Sequence, residues 1–190
     1  MNLNNANSSS TIEVEHAGVS LTGTRAENQD AILVKAPTQT NLLAHKGIVA
    51  CIADGVSCSE QSQRASHTAV VQFINDYYAT PKSWSVKRSA NQILTALNAW
   101  LYQEGSKQEL SHNGLVTTFS ALILKSNTAH LFHVGDTRIY LLRDDKLRLL
   151  THDHQRIKFG KSAYLTRALG MDSKLDVDYQ TLSLQQGDRF

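Results

Sequence analysis

Apolar positions recur along this 190-residue chain with two different periods, and the change between them divides it into parts. Residues 47–53 form an unbroken apolar run closed by Asp54 and Gly55. That pattern predicts a strand buried on both faces, with Asp54 at its carboxyl end. Over residues 60–78 the spacing becomes helical, through Ala65, Ala69, Val70, Phe73, Ile74 and Tyr77, with Ser59 as the expected cap. A second helix is predicted after Pro81, capped by Ser85 and stopped at Gly105; its Ala90, Ile93, Leu94, Leu97 and Leu101 make one buried stripe.

From Thr118 onward the period is two. Strands are predicted over residues 118–124, 129–134, 139–142 and 147–150, parted by Ser126-Asn127, Gly135-Asp136 and Asp144-Asp145, which reads as an antiparallel meander. Ahead of the apolar run, short strands are expected at residues 14–21 and 31–35. The polar loop between them carries Arg25, Asn28, Gln29 and Asp30. Two amphipathic helices set between early strands and a late meander predict an α+β domain, with sheets packed together and helices outside. No internal repeat is visible.

Composition narrows this picture. The Asn/Ser-rich residues 1–10 carry too little apolar surface to offset the entropy of ordering and read as a flexible leader, so the domain is expected over residues 11–190. The net charge of +2 is spread along the chain, which leaves no electrostatic footprint for nucleic acid or an anionic membrane. No apolar run approaches the roughly 20 residues of a membrane span, and no secretory signal opens the chain, so a cytoplasmic location is expected. Cys51 lies in an apolar run and Cys58 in a serine-rich loop, as expected of a reducing compartment rather than a disulfide framework.

Candidate chemistry lies with the aspartates. Asp30, Asp54 and Asp136 each stand at a strand edge or turn, and the last two adjoin a glycine. Carboxylates on strand ends can converge at one rim of a sheet, and hard divalent cations take oxygen ligands. The glycine of Asp54-Gly55 would let its carbonyl approach an ion closely. Taken singly, each aspartate is better accounted for by turn formation.

The order of these pieces resembles the phosphatase 2C family. Residues 23–30, Gly-Thr-Arg-Ala-Glu-Asn-Gln-Asp, are similar to its first motif, and Ala53-Asp54-Gly55 to its second. Residues 114–118 resemble its glycine-threonine element, and Val134-Gly135-Asp136-Thr137-Arg138-Ile139-Tyr140 its Gly-Asp-Ser-Arg motif. Residues 151–154 and 165–170 are also similar to family segments, so the likeness runs roughly from Val14 to Phe190. The short link from His154 to Leu165 and the wording Ile52-Ala53-Asp54-Gly55-Val56-Ser57 look, more narrowly, like the phosphatase domain of bacterial proteins that carry a serine/threonine kinase at the carboxyl terminus.

The resemblance implies an α-β-β-α sandwich of two packed, mainly antiparallel sheets with helices outside. It implies a metal-dependent serine/threonine phosphatase using Mg²⁺ or Mn²⁺: two central ions held by Asp30, Asp54 and the Gly55 carbonyl, and a third, more weakly held, at Asp136. Asp54 would bridge the central pair, and Arg25 would grip the substrate phosphate. Phosphorylated proteins are the implied partners, with a serine/threonine kinase domain fused or in trans.

The chain also departs from the family pattern. Gln29 stands where some relatives have glutamate, and Val56 where some have the histidine proposed as general acid. Residues 187–190 end where the family runs on to further metal aspartates, so the fold is expected to be incomplete at its carboxyl end and the isolated chain weak or inactive. Two rival readings follow: a non-catalytic module that binds phosphoproteins or a kinase, and a thiol phosphatase using the Cys58-to-Arg64 spacing. The second lacks the glycines of a phosphate loop and sets Glu60 against the anion. His152 and His154 read as turn residues, His133 as a satisfied sheet residue, and Trp84 and Trp100 as packing.

Overall fold

The computed structural model describes residues 12–56, 61–107, 114–157 and 163–190. The expected leader, the Ser59 cap and Cys58 lie outside these residues. In chain order the elements are β1 (Asp30–Lys35), α1 (Thr40–Lys46), β2 (Ile48–Asp54), α2 (Ser62–Ala79), α3 (Val86–Ser106), β3 (Phe119–Lys125) and β4 (Thr128–Val134). There follow β5 (Tyr140–Arg143), β6 (Lys146–Leu149), β7 (Gln155–Ile157), β8 (Ala163–Leu165) and β9 (Asp178–Ser183). The architecture is α+β, as the periodicity predicts.

A five-stranded antiparallel sheet of order β1-β2-β3-β4-β9 is the frame. Its period-two alternation sorts side chains cleanly. Val49, Cys51, Ala53, Phe119, Ala121, Ile123, Phe132 and Val134 face the helices and are buried with Phe73, Ile74, Tyr77, Leu94, Leu97 and Leu101. On the opposite face Ile48, Leu124, Ala129 and Leu131 make a smaller cluster with Ile12, Val14, Leu43, Ile139, Leu150 and Leu182. The β5–β6 hairpin is a separate two-stranded sheet, as is β7–β8.

The α3 cap is as expected: the Ser85 hydroxyl accepts from the Arg88 N–H at 3.2 Å. Four expectations are corrected. Residues 14–21 form no strand: from Glu15 onward the segment is exposed and has no buried face to hold it in a ladder, although β1 is an edge strand of the sheet. The predicted four-stranded meander divides after β4, where Gly135 at φ +112° redirects the chain and β9 takes the place beside β4. Gly105 does not stop α3, which runs to Ser106; a Cβ there would lie 2.6 Å from the Leu115 nitrogen, so the glycine serves a close chain crossing. Trp100 is 39 % exposed with Arg64 over its ring, so it packs less than expected. The short α1 is too brief to declare a period and has no sequence signal of its own.

Candidate active site

Antiparallel order fixes where strand ends fall. In an antiparallel sheet the start of one strand lies beside the end of the next. The start of β1, the end of β2, the start of β3, the end of β4 and the start of β9 therefore share one rim. Asp30 is the cross-strand partner of Asp54 in that register, and Gly135-Asp136 leaves β4 at the same edge.

Local bonds then pin each piece. The Asp30 N–H donates to the Asn28 Oδ1 at 3.0 Å, a tight polar turn, and the Asn28 Nδ2 donates to the Ser20 hydroxyl at 2.7 Å. The Gln29 carbonyl accepts from the Gly55 N–H at 3.0 Å and from the Ser66 hydroxyl of α2 at 2.6 Å. Asp54 is held from the residues just before β3: its N–H donates to Thr118 Oγ1 at 2.8 Å, while its carbonyl accepts from the Thr118 N–H at 2.9 Å and Thr117 Oγ1 at 3.0 Å. Gly55 is required by the close approach of α2, since a Cβ would stand 2.3 Å from the Ser62 carbonyl oxygen. The sequence offered ion approach as the reason for this glycine; the backbone of α2 supplies a steric one.

The result is a small polar cleft of about 140 Å³ lined by Leu21, Thr22, Arg25, Glu27, Asn28, Gln29, Asp30 and Asp54. The Arg25 Nη1 donates to Gln29 Oε1 at 2.8 Å, which parks an exposed guanidinium beside the carboxylates. Burial first, then the adjacent Asp30 charge and a shared hydrogen bond with it, push the Asp54 carboxyl up to about 6. Asp136 adds to that repulsion and Arg25 opposes it, so Asp54 feels all three. Among the described residues no three histidine, cysteine, aspartate or glutamate side chains stand at ligand distance of a common point. The Asp30–Asp54 pair with Asp136 nearby is nevertheless an all-oxygen donor set with excess negative charge, which fits a hard divalent cation.

The structure thus brings Arg25, Asp30, Asp54, Gly55 and Asp136 to one rim. The roles of Thr117, Thr118, Ser66 and His154 in holding that rim were not read from the sequence; the available signals were the family likeness of residues 114–118 and 151–154, which did not say what those residues hold. His133 is a satisfied sheet residue as expected, with Nδ1 accepting from Ser120 at 2.8 Å and Nε2 facing the His152 carbonyl at 3.0 Å. No described helix is long and apolar enough to cross a membrane.

Comparison with known proteins bears on the family and the fold. The serine/threonine phosphatase Stp of Listeria innocua is 28% identical over 162 residues, covering 74% of this chain and 62% of the relative. The protein phosphatase PhpP of Streptococcus pneumoniae is 26% identical over 156 residues, covering 72% and 62%. The chain therefore spans 62% of the length of these curated relatives. Among solved structures, the Streptococcus agalactiae serine/threonine phosphatase superposes with a TM-score of 0.74 at 21% identity, covering 90% of this chain and 74% of that one. The Staphylococcus aureus phosphatase Stp1 gives 0.72 at 18% identity, covering 91% and 76%. Residues 17–190 match the family described as protein phosphatase 2C, and with nearly the whole chain inside that match, it belongs to the protein phosphatase 2C family.

Proposed function

We propose that this chain carries the hydrolysis of phosphoserine and phosphothreonine in proteins, at the rim that holds Arg25, Asp30, Asp54, Gly55 and Asp136. The supporting observation is the crowded acidity there: Asp30 and Asp136 both oppose ionisation of Asp54, and Arg25 offsets them only in part. Such a rim suits Mg²⁺ or Mn²⁺, which Asp54, Asp30 and the Gly55 carbonyl would hold, with Asp136 as the residue that would hold a further, weaker ion. Bound there, the ions would supply positive charge and lower the pKa of a water.

The chain's own residues do the rest. Arg25 exchanges its bond to Gln29 for the two phosphate oxygens that its planar fork matches. Asp54 keeps its place as charge develops on the phosphoryl group, because Thr117 and Thr118 fix its backbone. Val56 offers no proton to the leaving oxygen, so that proton comes from elsewhere at the rim. A serine/threonine kinase, fused or in trans, is the class of enzyme that makes such substrates.

A second reading is a non-catalytic module that binds phosphoproteins, favoured by the lack of a three-residue ligand cluster among the described residues. For the same reason the 190-residue chain alone is expected to turn over weakly. Phosphate release from a phosphothreonine peptide decides between the two. Slow Mn²⁺-dependent release, abolished by a chelator or by Asp54→Ala and unaffected by thiol alkylation, supports catalysis. Retained peptide binding with no release at any metal concentration supports the module, and loss of activity on alkylation would revive thiol chemistry.

A further inference from the structure

Beside the acidic rim lies a second polar group, on the face of the sheet away from the helices. Ser120, His133 and Asp178 are neighbours across β3, β4 and β9, and His154 packs over them with its ring 4.9 Å from that of His133. His154 is 3 % exposed, yet both of its ring nitrogens are engaged. Its Nδ1 accepts from the Gly135 N–H at 3.1 Å, and its own N–H donates to the Gly135 carbonyl at 2.7 Å. Its Nε2 meets Asp178 Oδ2 at 3.0 Å, and Arg167 donates to the other Asp178 oxygen at 3.0 Å.

These contacts fix the proton. Since the backbone N–H of Gly135 can only donate, Nδ1 is unprotonated and Nε2 carries the hydrogen given to Asp178. With neither nitrogen free, His154 is no proton shuttle. What it grips is the turn after β4: Gly135 sits at φ +112°, and Thr137 is held from the other side by Ser120, whose hydroxyl lies 2.7 Å from Thr137 Oγ1 and also serves His133. Asp136, between them, has no hydrogen bond to its carboxylate among the described residues. Its place at the rim is therefore set by the backbone on either side.

The geometry points to His154, oriented by Asp178 and Arg167, as the positioning residue that sets the Gly135-Asp136-Thr137 turn and so aims the Asp136 carboxylate at the cation site. The link to a cation rests on the phosphatase reading above; the grip on the turn does not. Orienting partners behind a ligand commonly matter nearly as much as the ligand.

The test is made on the whole 190-residue chain, ¹⁵N-labelled, by amide hydrogen exchange and by Mn²⁺-induced line broadening. His154→Ala is expected to speed exchange at the Gly135 amide by about tenfold, the loss of one buried hydrogen bond, while the β2 amides stay protected. The Mn²⁺ concentration that broadens Asp136 should rise several-fold. His154→Asn, whose side-chain oxygen can accept the same N–H, should recover most of both effects, and Asp178→Asn should give an intermediate result if the alanine variant does not fold. Unchanged Gly135 exchange in His154→Ala, or equal acceleration at every amide with no recovery by asparagine, overturns the positioning role. Absence of any Mn²⁺ effect on the unaltered chain would instead remove the phosphatase reading, and exchange at Gly135 would still decide whether His154 holds the turn.

Discussion

Asp54 is costly to ionise where it stands, because it is half-buried and shares its surroundings with Asp30 and Asp136. A carboxyl raised in the folded state above its ordinary 3.8 opposes folding when ionised; the penalty is absent below 3.8, grows between 3.8 and about 6, and is complete above. Metal-free protein should therefore gain thermal stability as pH falls from 7 towards 5. Asp54→Asn should raise the metal-free Tm at pH 7 and flatten that dependence; an unchanged slope in a melting series over pH would contradict the crowding. Thr118 is the second residue on which the rim depends, since Asp54 donates to its hydroxyl at a position 1 % exposed. Thr118→Val keeps the shape but leaves that N–H unpaired, which should cost about 1–3 kcal/mol in urea denaturation. Arg25 is exposed and bears on binding rather than folding. Arg25→Ala should lower kcat/KM for a phosphopeptide by roughly 10–100-fold, the worth of a charge-assisted bond, with Tm unmoved.

Among the elements, α2 carries two duties: its Phe73 and Tyr77 seal the sheet, and its first turn meets the end of β2 at Gly55 and Val56. Gly55→Ala would drive a methyl against the Ser62 carbonyl and should destabilise the protein by about 1–3 kcal/mol, measured as a fall in the urea midpoint. The two long helices and strands β1 to β4 were legible because each spans enough turns or alternations to show its period: Ala65 to Tyr77 and Leu94 to Leu101 for the helices, Val49 to Ala53 for β2. Short elements were not. α1 has seven residues and β7 and β8 three each, too few to declare a pattern. The strand expected at residues 14–21 failed for another reason: a strand is held by a buried face, and alternation along one segment cannot say whether that face will find anything to pack on. Gly105 misled because a glycine placed for a close backbone crossing looks, in sequence, like one placed to end a helix.

At the scale of the whole molecule, the site is a consequence of topology. Asp30, Asp54 and Asp136 are far apart in the chain, and the alternating strand directions of one sheet return each to the same rim. Motif order made these residues legible; the supports behind them were hidden, since nothing in the spacing of Thr118, Ser120, His154 and Asp178 says which of them the sheet will set side by side. The same topology places the cleft where β1 starts and β2 ends, with Arg25 of the loop before β1 in its lining. One property follows: three carboxylates crowd negative charge at the rim, with Arg25 beside them. Titration of the metal-free chain with Mn²⁺, followed calorimetrically, tests it most directly. The account predicts weak but saturable uptake that disappears in Asp54→Ala. No uptake by the unaltered chain, or undiminished uptake by Asp54→Ala, would contradict it.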